Sequence, residues 1–437
     1  MAHALHGIKV VDVSQVVAVP MAARHLADFG ADVIHIENPF TGDSWRSFQA
    51  GAPGGNAGVP SEVNYCWETY NRNKRSVTLD LSQKTGQQIL HKLVEKADVF
   101  VTNLRLWERE KFAVEYDTLR QLNPRLIYGS LTGFGKKGPD RNAPAYDHTA
   151  AWYRAGMVHM LSNIAGIGFT VGLVDTVAAL AMFGGIMTAL YVRDKTGVGQ
   201  EVDLSLFNIG VYQLSFDVAG ALVTGVDFKD LIPEQLAQQD EERAKRHQEL
   251  LEEAEAAVNR LREFFLENVP NPLAIDYATK DERIVHLNDL QPDRYWSKVC
   301  QAIDRPDLEN DPRFNSYESR IENHLDLYHI LKEFFSSKTL DELKLPLNKL
   351  GIPFAPRQKL SEVINDPQAR ANDCFVPFEH PTYGRIEILT NPIKLSENPA
   401  TIRMPAPEFS QHTEEVLLEM GYTWGDIAQF KQQKVIA

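Results

Sequence analysis

The fold is decided by residues 8–37, IKVVDVSQVVAVPMAARHLADFGADVIHIE. Residues 8–14 are a short β-branched run, as a buried strand requires. Pro20 is tolerated in a first helical turn, and Met21, Ala22, His25, Leu26 and Phe29 then share one helical face. Gly30 is a helix stop, and residues 33–37 read as the next strand. Strand, helix and strand joined by short connections assemble as a parallel βαβ unit. The alternation continues outward. Residues 75–79 are extended, and 86–96 are helical with Ile89, Leu90 and Leu93 inward. Residues 98–102 form a strand, 116–122 a helix and 126–131 another strand. This predicts an α/β domain with a largely parallel sheet. No GxGxxG follows the first strand, so the layering is Rossmann-like without a dinucleotide signature.

The 437 residues leave room for two or three domains. Hydrophobic residues at 43% and charged residues at 24% are ordinary globular proportions. A net charge of −14 argues against a general binder of nucleic acid or of anionic membranes. Cys66, Cys300 and Cys374 are far apart with no CxxC, which argues against a disulfide framework or zinc cluster and fits a reducing cytoplasm. The first residues do not read as a signal peptide. Seventeen uncharged residues separate Asp175 from Arg193, at the lower end of the ~17–25 that span a bilayer. With Gly184-Gly185 inside it, this stretch reads as a buried helix of a large core. Residues 233–268 are rich in Glu, Gln, Lys and Arg. Leu250, Leu251, Ala254, Val258, Leu261 and Phe265 keep a helical spacing there, which predicts an amphipathic helix. Residues 277–314 read as a hairpin and a helix, 323–335 as a helix, and 413–420 as the final helix.

Familiar catalytic hardware is missing. The sequence has no HExxH, no Cys/His cluster, no GxSxG elbow and no GxxxxGK[ST] loop. The remaining candidate is Asp175, the one acid in GFTVGLVDTVAALAMF (168–183). It stands where a helix over 176–193 would begin. Unpaired N–H groups and the helix dipole would keep it ionised, against apolar neighbours that raise a carboxyl's pKa. A desolvated but ionised carboxylate is a nucleophile toward an activated acyl group. The same placement suits a plain helix cap, and the residues alone leave both readings open.

Several stretches then follow one another in a telling order: residues 5–43, NRNKRSVTLDL (71–81), KADVFVTNLR (96–105), NPRLIYGSLTGFGKKGP (123–139), AYDHTAAWYRAGM (145–157), RDKTGVGQEVDLSL (193–206), GIPFAPRQKLSEVINDP (351–367) and PAPEFSQHTEEVLLEMGY (405–422). Together they resemble the class III CoA-transferases, which exchange CoA between carboxylic acids. The resemblance implies that Asp175 is the nucleophile, that Tyr146 and Val17 meet the substrate, and that Leu79, Asn103, Leu104, Arg105 and Lys111 contact CoA. Lys136 and Lys137 read as solvated lysines. Amides around Thr176 and at Gly172 are the expected oxyanion donors.

The implied fold is a Rossmann-like large domain built from both chain ends (1–210 and 330–437) around a smaller α+β middle domain (225–325). Two copies would interlock as a homodimer, with a heteromer as the alternative. The acyl-CoA thioester is a substrate, and no cofactor, metal or ATP is implied. Val19, Asn38 and Ala179 depart from the family pattern, and a Gly-rich loop is not evident, which argues against formyl and oxalyl substrates. Residues 146–157 and 290–314 look most like the succinyl-CoA-dependent branches, so succinyl-CoA is the expected donor and a dicarboxylic or aryl-bearing acid the acceptor. Three other readings stand beside this one. An α-methylacyl-CoA racemase would need a histidine at position 146, whereas His148 lies two residues away and is expected to point elsewhere. An intramolecular CoA shift and a non-catalytic CoA-binding subunit are the others.

Overall fold

A computed structural model describes residues 3–46, 61–161, 172–226, 271–288 and 292–437. The chain divides into two compact units, Met1–Leu231 with Arg370–Ala437, and Ile232–Ala369. The first unit runs β1 (Lys9–Val13), α1 (Ala18–Asp28), β2 (Asp32–Glu37), α2 (Tyr65–Asn71), β3 (Arg75–Thr78), α3 (Lys84–Val94), β4 (Val99–Thr102), α4 (Leu106–Lys111), α5 (Tyr116–Leu122), β5 (Ile127–Thr132), α6 (Met157–Leu161), α7 (Leu173–Thr196), β6 (Glu201–Ser205), α8 (Leu206–Gln213) and α9 (Ser215–Thr224).

The six strands form one parallel sheet in the order β3-β2-β1-β4-β5-β6, with Val10 paired to Val33 on one side and Val99 on the other. The chain order reverses between β1 and β4. In such sheets the carboxyl ends of those two strands bound the ligand crevice. Parallel strands are covered on both faces, which is why they read as continuous apolar runs. Val10, Val33, Val101 and Ile127 pack with α1 and α7. Val11, Ile34, Phe100 and Tyr128 pack with α3, α5 and the helix Thr413–Glu419.

α7 is long and apolar enough to cross a membrane. Here Val174, Ala178, Met182, Ile186 and Leu190 bury its inner side in the core. It begins at Leu173 rather than at 176, and ends at Gly197 in the left-handed conformation, as a C′ glycine should.

The second unit holds a three-stranded antiparallel sheet, β7 (Asp276–Ala278), β8 (Ile284–Leu287) and β9 (Phe354–Pro356). Helices Pro292–Ala302, His324–Ser337 and Leu340–Leu350 supply Trp296, Leu331, Phe335 and Leu343 to its core. The chain therefore returns to the first unit at Arg370, not at 330, because the helices of 324–350 carry their leucines into this second core. The amphipathic helix expected at 233–268 lies outside the described residues. After the return, β10 (Phe375–His380) and β11 (Gly384–Leu389) form a hairpin.

Asp28, at the end of α1, ties this returning segment to the start of the chain. Its buried carboxylate accepts from Arg24 Nη1 at 2.6 Å, Arg72 Nη2 at 3.0 Å and Asn73 Nδ2 at 2.8 Å. Arg72 Nη1 also donates to the Leu389 carbonyl at 2.6 Å, and Asn73 Nδ2 to that of Thr401 at 2.8 Å. Burial alone would push the Asp28 carboxyl up, but Arg24 and Arg72 outweigh it and hold the group below the usual carboxylate range. Asp28→Ala would leave two buried guanidinium groups without their counter-charge. We expect a loss of about 3–5 kcal/mol in denaturant unfolding. A loss of under ~1 kcal/mol would mean that the returning segment is anchored elsewhere.

Candidate active site

β1 leaves the sheet into residues 14–17, the loop on which the site is built. Beneath it Asp12 is fully buried. Its Oδ2 accepts from Lys74 Nζ and His35 Nδ1, both at 2.9 Å, and Ser14 Oγ donates to its Oδ1. Burial would raise this carboxyl, but Lys74 and His35 outweigh it and hold it far below its ordinary value. Burial would likewise lower the pKa of His35. Asp12, together with Asp43 whose Oδ2 lies 3.6 Å from Nε2, raises it to about 9. His35 is therefore a buried cation at neutral pH.

Asp43 carries this charge network up to the loop. Its Oδ1 accepts the N–H of Val16 at 3.3 Å and of Trp45 at 2.9 Å. Val16 has φ 74, a left-handed conformation that strains a β-branched residue. On the other side, Gln15 N–H donates to Asn103 Oδ1 at 3.0 Å and Asn103 Nδ2 to Gln15 O at 2.7 Å. Asn103 follows β4, so this two-way clamp spans the crevice where the strand order reverses. Val17 comes next and is buried. A Cβ at Gly172 would lie 3.4 Å from Val17 Cγ1 and 3.8 Å from the Tyr70 hydroxyl. The first turn of α7 thus abuts the β1 loop and α2.

Asp175 sits in that first turn, half-buried. Burial pushes its carboxyl up to about 7, and the negative charge of Asp147 adds to the shift. The helix start does not hold it ionised as expected, nor does Asp175 cap the helix. Gly172 precedes the helix in the left-handed conformation, with no side-chain cap. Asp147 is buried, and its Oδ2 has no hydrogen-bond partner among the described residues. Thr176 N–H is bonded to the Gly172 carbonyl at 2.9 Å. The Thr176 amide, expected as an oxyanion donor, is therefore already engaged. Tyr70 stands in the field of both acids. Burial first, then Cys66 and Asp175, push its hydroxyl up to about 12, so it remains a protonated donor.

The other expected residues fall into two groups. Asn103, Leu104 and Arg105 share the loop after β4. Leu104 O accepts from Arg109 Nε at 2.7 Å, and Arg105 N–H donates to Glu108 Oε2 at 2.9 Å to begin α4. Lys111 is exposed at the end of α4, where Gln87 Nε2 binds the carbonyls of both Leu81 and Lys111. Leu79 is a buried core residue, so a ligand there would meet its backbone. The Tyr146 ring is 69% exposed, and among the described residues no bond joins it to Asp175. Lys136 is paired with Glu201 and Asp203 rather than solvated. His148, expected to point away, has its Nε2 3.9 Å from Asp147 Oδ1. Asp147 and Tyr70 were not singled out from the sequence, although both stand inside or beside stretches that were: Asp147 follows Tyr146, and Tyr70 precedes NRNKR.

The sequence profile of CoA-transferase family III matches residues 5–413. The chain belongs to this family. It is 31% identical to (R)-2-hydroxy-4-methylpentanoate CoA-transferase of Clostridioides difficile over 99% of both chains. It is 30% identical to cinnamoyl-CoA:phenyllactate CoA-transferase of Clostridium sporogenes, over 98% of this chain and 96% of that one. Among solved structures, Rv3272 of Mycobacterium tuberculosis superposes with a TM-score of 0.73 at 25% identity, over 94% of this chain and 99% of that one. The α/β fold and the assignment as a class III CoA-transferase are thereby established.

The buried charge network has a pH signature. His35 has its pKa raised above its ordinary value, so its contribution to stability is complete below about 6.5 and is lost as pH rises through about 9. Thermal unfolding followed from pH 7 to 10 should show the midpoint falling across that interval. His35→Gln should have a lower midpoint at pH 7 and a flatter profile. Equal slopes for the two chains would rule out His35 as the source.

Proposed function

We propose that this enzyme moves CoA from an acyl-CoA to a carboxylic acid through covalent intermediates on Asp175. The observation that carries this is the Asp175 carboxyl itself. It is an acid titrating near neutrality in an apolar first turn, set against the loop that leaves β1 at the crevice. The Asp175 carboxylate attacks the thioester carbonyl and expels CoA thiolate, leaving a mixed anhydride. The thiolate attacks the aspartyl carbonyl of that anhydride, releasing the first acid and leaving an aspartyl-CoA thioester. The acceptor carboxylate attacks this thioester and expels CoA thiolate again. The thiolate then takes the acceptor's acyl carbon, and the Asp175 carboxylate is restored. One thioester is exchanged for another, so no water, ATP or metal enters the balance.

The named activities of the two curated relatives both concern 2-hydroxy acids with an apolar side chain, 2-hydroxy-4-methylpentanoate and phenyllactate. This supports a 2-hydroxy acid of that kind as acceptor here, in line with the aryl-bearing acid expected from the sequence. Succinyl-CoA and an aryl acryloyl-CoA are the donors to compare. Asn103, Leu104, Arg105 and Lys111 are the side chains we assign to CoA, with the backbone at Leu79, and Val17 and Tyr146 to the acyl groups. A racemase reading has one observation in its favour, the His148 ring beside Asp147. Exchange of the α-proton for deuterium without an acceptor acid would reveal it.

Incubation with each donor and a panel of acids, with new acyl-CoA read by mass, tests the reaction. Asp175→Asn and Asp175→Ala should fold and lose turnover by at least ~1,000-fold. Hydroxylamine added with acyl-CoA should modify Asp175 in the wild-type chain. Because Asp175 must be anionic to attack, kcat/KM should fall about tenfold per pH unit below about 7. Retained exchange in Asp175→Ala would end this reading.

We further propose that two copies associate, as an interlocked homodimer. α9 has no buried residue, and Phe216, Leu222 and Val223 on it are more than four-fifths exposed. Leu180 and Tyr191 are exposed apolar residues on α7. Large apolar side chains exposed together on one helix, as on α9, are the mark of a protein contact. Light scattering should give twice the chain mass of 49.3 kDa, and Leu222→Glu with Val223→Glu should lower it. A fully active monomer would refute the dimer.

A further inference from the structure

Tyr70 is given no task by the reaction as written, and its two ends differ. It is the penultimate residue of α2 and is half-buried. Its ring lies 6.1 Å from that of Trp45 and packs, with Val16, against the cluster that holds Trp45 and Val17. At the other end, the hydroxyl makes no hydrogen bond among the described residues. It ends 3.8 Å from the position that a Cβ on Gly172 would take, and Val17 Cγ1 lies 3.4 Å from that same position. Gly172 carries no Cβ and stands at φ 76, a conformation that suits glycine. The glycine thus leaves room for a carbon-sized group in contact with both the hydroxyl and Val17. Asp175 follows three residues later, about 4.5 Å along the helix axis. The hydroxyl stays protonated at neutral pH, so it both donates and accepts.

We propose that Tyr70 is a specificity-determining residue of this enzyme: its hydroxyl hydrogen-bonds the 2-hydroxyl of the acceptor acid, at the spot that Gly172 leaves open. The inference rests on the reading of Asp175 as the nucleophile and of a 2-hydroxy acid as the acceptor, and it adds the group that reads the hydroxyl. An acid of that kind needs an apolar wall for its side chain and a placed polar partner for its hydroxyl. Its 2-carbon is bonded directly to the carboxyl carbon that reacts at Asp175. The polar partner must therefore stand beside the first turn of α7. Val17 offers the wall and Tyr70 the partner, on two elements that meet at Gly172. A phenylalanine at this position would offer the wall alone. A neutral hydrogen bond of this kind discriminates by about 3–10-fold.

The test compares acids that differ only in the 2-hydroxyl, with one acyl-CoA donor and the full chain. Phenyllactate is set against 3-phenylpropionate, and 2-hydroxy-4-methylpentanoate against 4-methylpentanoate. The wild type should favour the hydroxy acid of each pair in kcat/KM. Tyr70→Phe keeps the ring against Trp45 and removes only the hydroxyl. It should lower kcat/KM for the hydroxy acids by about 3–10-fold and leave that for the deoxy acids within about twofold. The deoxy acids thus report folding and general activity, which a merely structural role would lower equally. Tyr70→Leu also lacks the hydroxyl and gives the same comparison should the phenylalanine chain not fold. A hydroxy-acid preference that survives in the variant, or equal losses on both members of a pair, would overturn the inference and leave the 2-hydroxy acceptor standing. Turnover of the deoxy acids alone by the wild type would overturn both. Retained exchange in Asp175→Asn would instead overturn the nucleophile beneath them.

Discussion

The site depends on one fully buried carboxylate, Asp12, held between the Lys74 ammonium and the His35 imidazolium. A single buried charge would be untenable, and a pair of opposite charges removes most of the cost. Two cations on one anion leave a surplus, and Asp43 answers it from above His35. Asp43 in turn takes the Val16 N–H. The strained backbone at Val16 is thus held in place by a relay of charges that starts beneath the sheet's central strand. Val17 follows from it, and Val17 is what Gly172 and the first turn of α7 lie against. Electrostatics in the core therefore locate an acid in the crevice with no direct bond between them.

Asp175 shows two effects in competition. A helix start favours an anion, by about 0.3–1 kcal/mol for an exposed group. Desolvation opposes it, and here burial wins, with the Thr176 N–H already folded into the helix on the Gly172 carbonyl. Titration near neutrality is what a nucleophile of this kind needs. A carboxylate held far below its usual range, like Asp12, would be ionised at every working pH and a poor base.

The parallel sheet was legible because burial on both faces forces apolar strands, and because helix punctuation at Pro20 and Gly30 is local chemistry. Residues 116–122 are helical over the expected bounds for the same reason. The start of α7 was not legible, since the residue before it is Gly172, in the left-handed conformation and with no side chain to mark a cap. NRNKR (71–75) could be recognised by resemblance but not explained. In the structure four of its residues are a charge and amide hub: Arg72 and Asn73 serve Asp28, Lys74 serves Asp12, and Arg75 serves Asp32 and Glu419. The point of return at Arg370 was missed because helices with a leucine face look alike whichever core receives them. Tyr70 carried no signal of its own in the sequence, because an aromatic at a helical position is ordinarily core.

The division of the first unit between the two ends of the chain has a consequence for biosynthesis. The partners of Arg72 and Asn73 at Leu389 and Thr401 emerge from the ribosome only after all of residues 232–369 have been translated. Until then the nascent amino-terminal half carries its ion cluster with part of its covering absent. Vectorial folding from the amino terminus would stall at that stage, and the inserted unit, complete in sequence once residue 369 has emerged, is free to fold first.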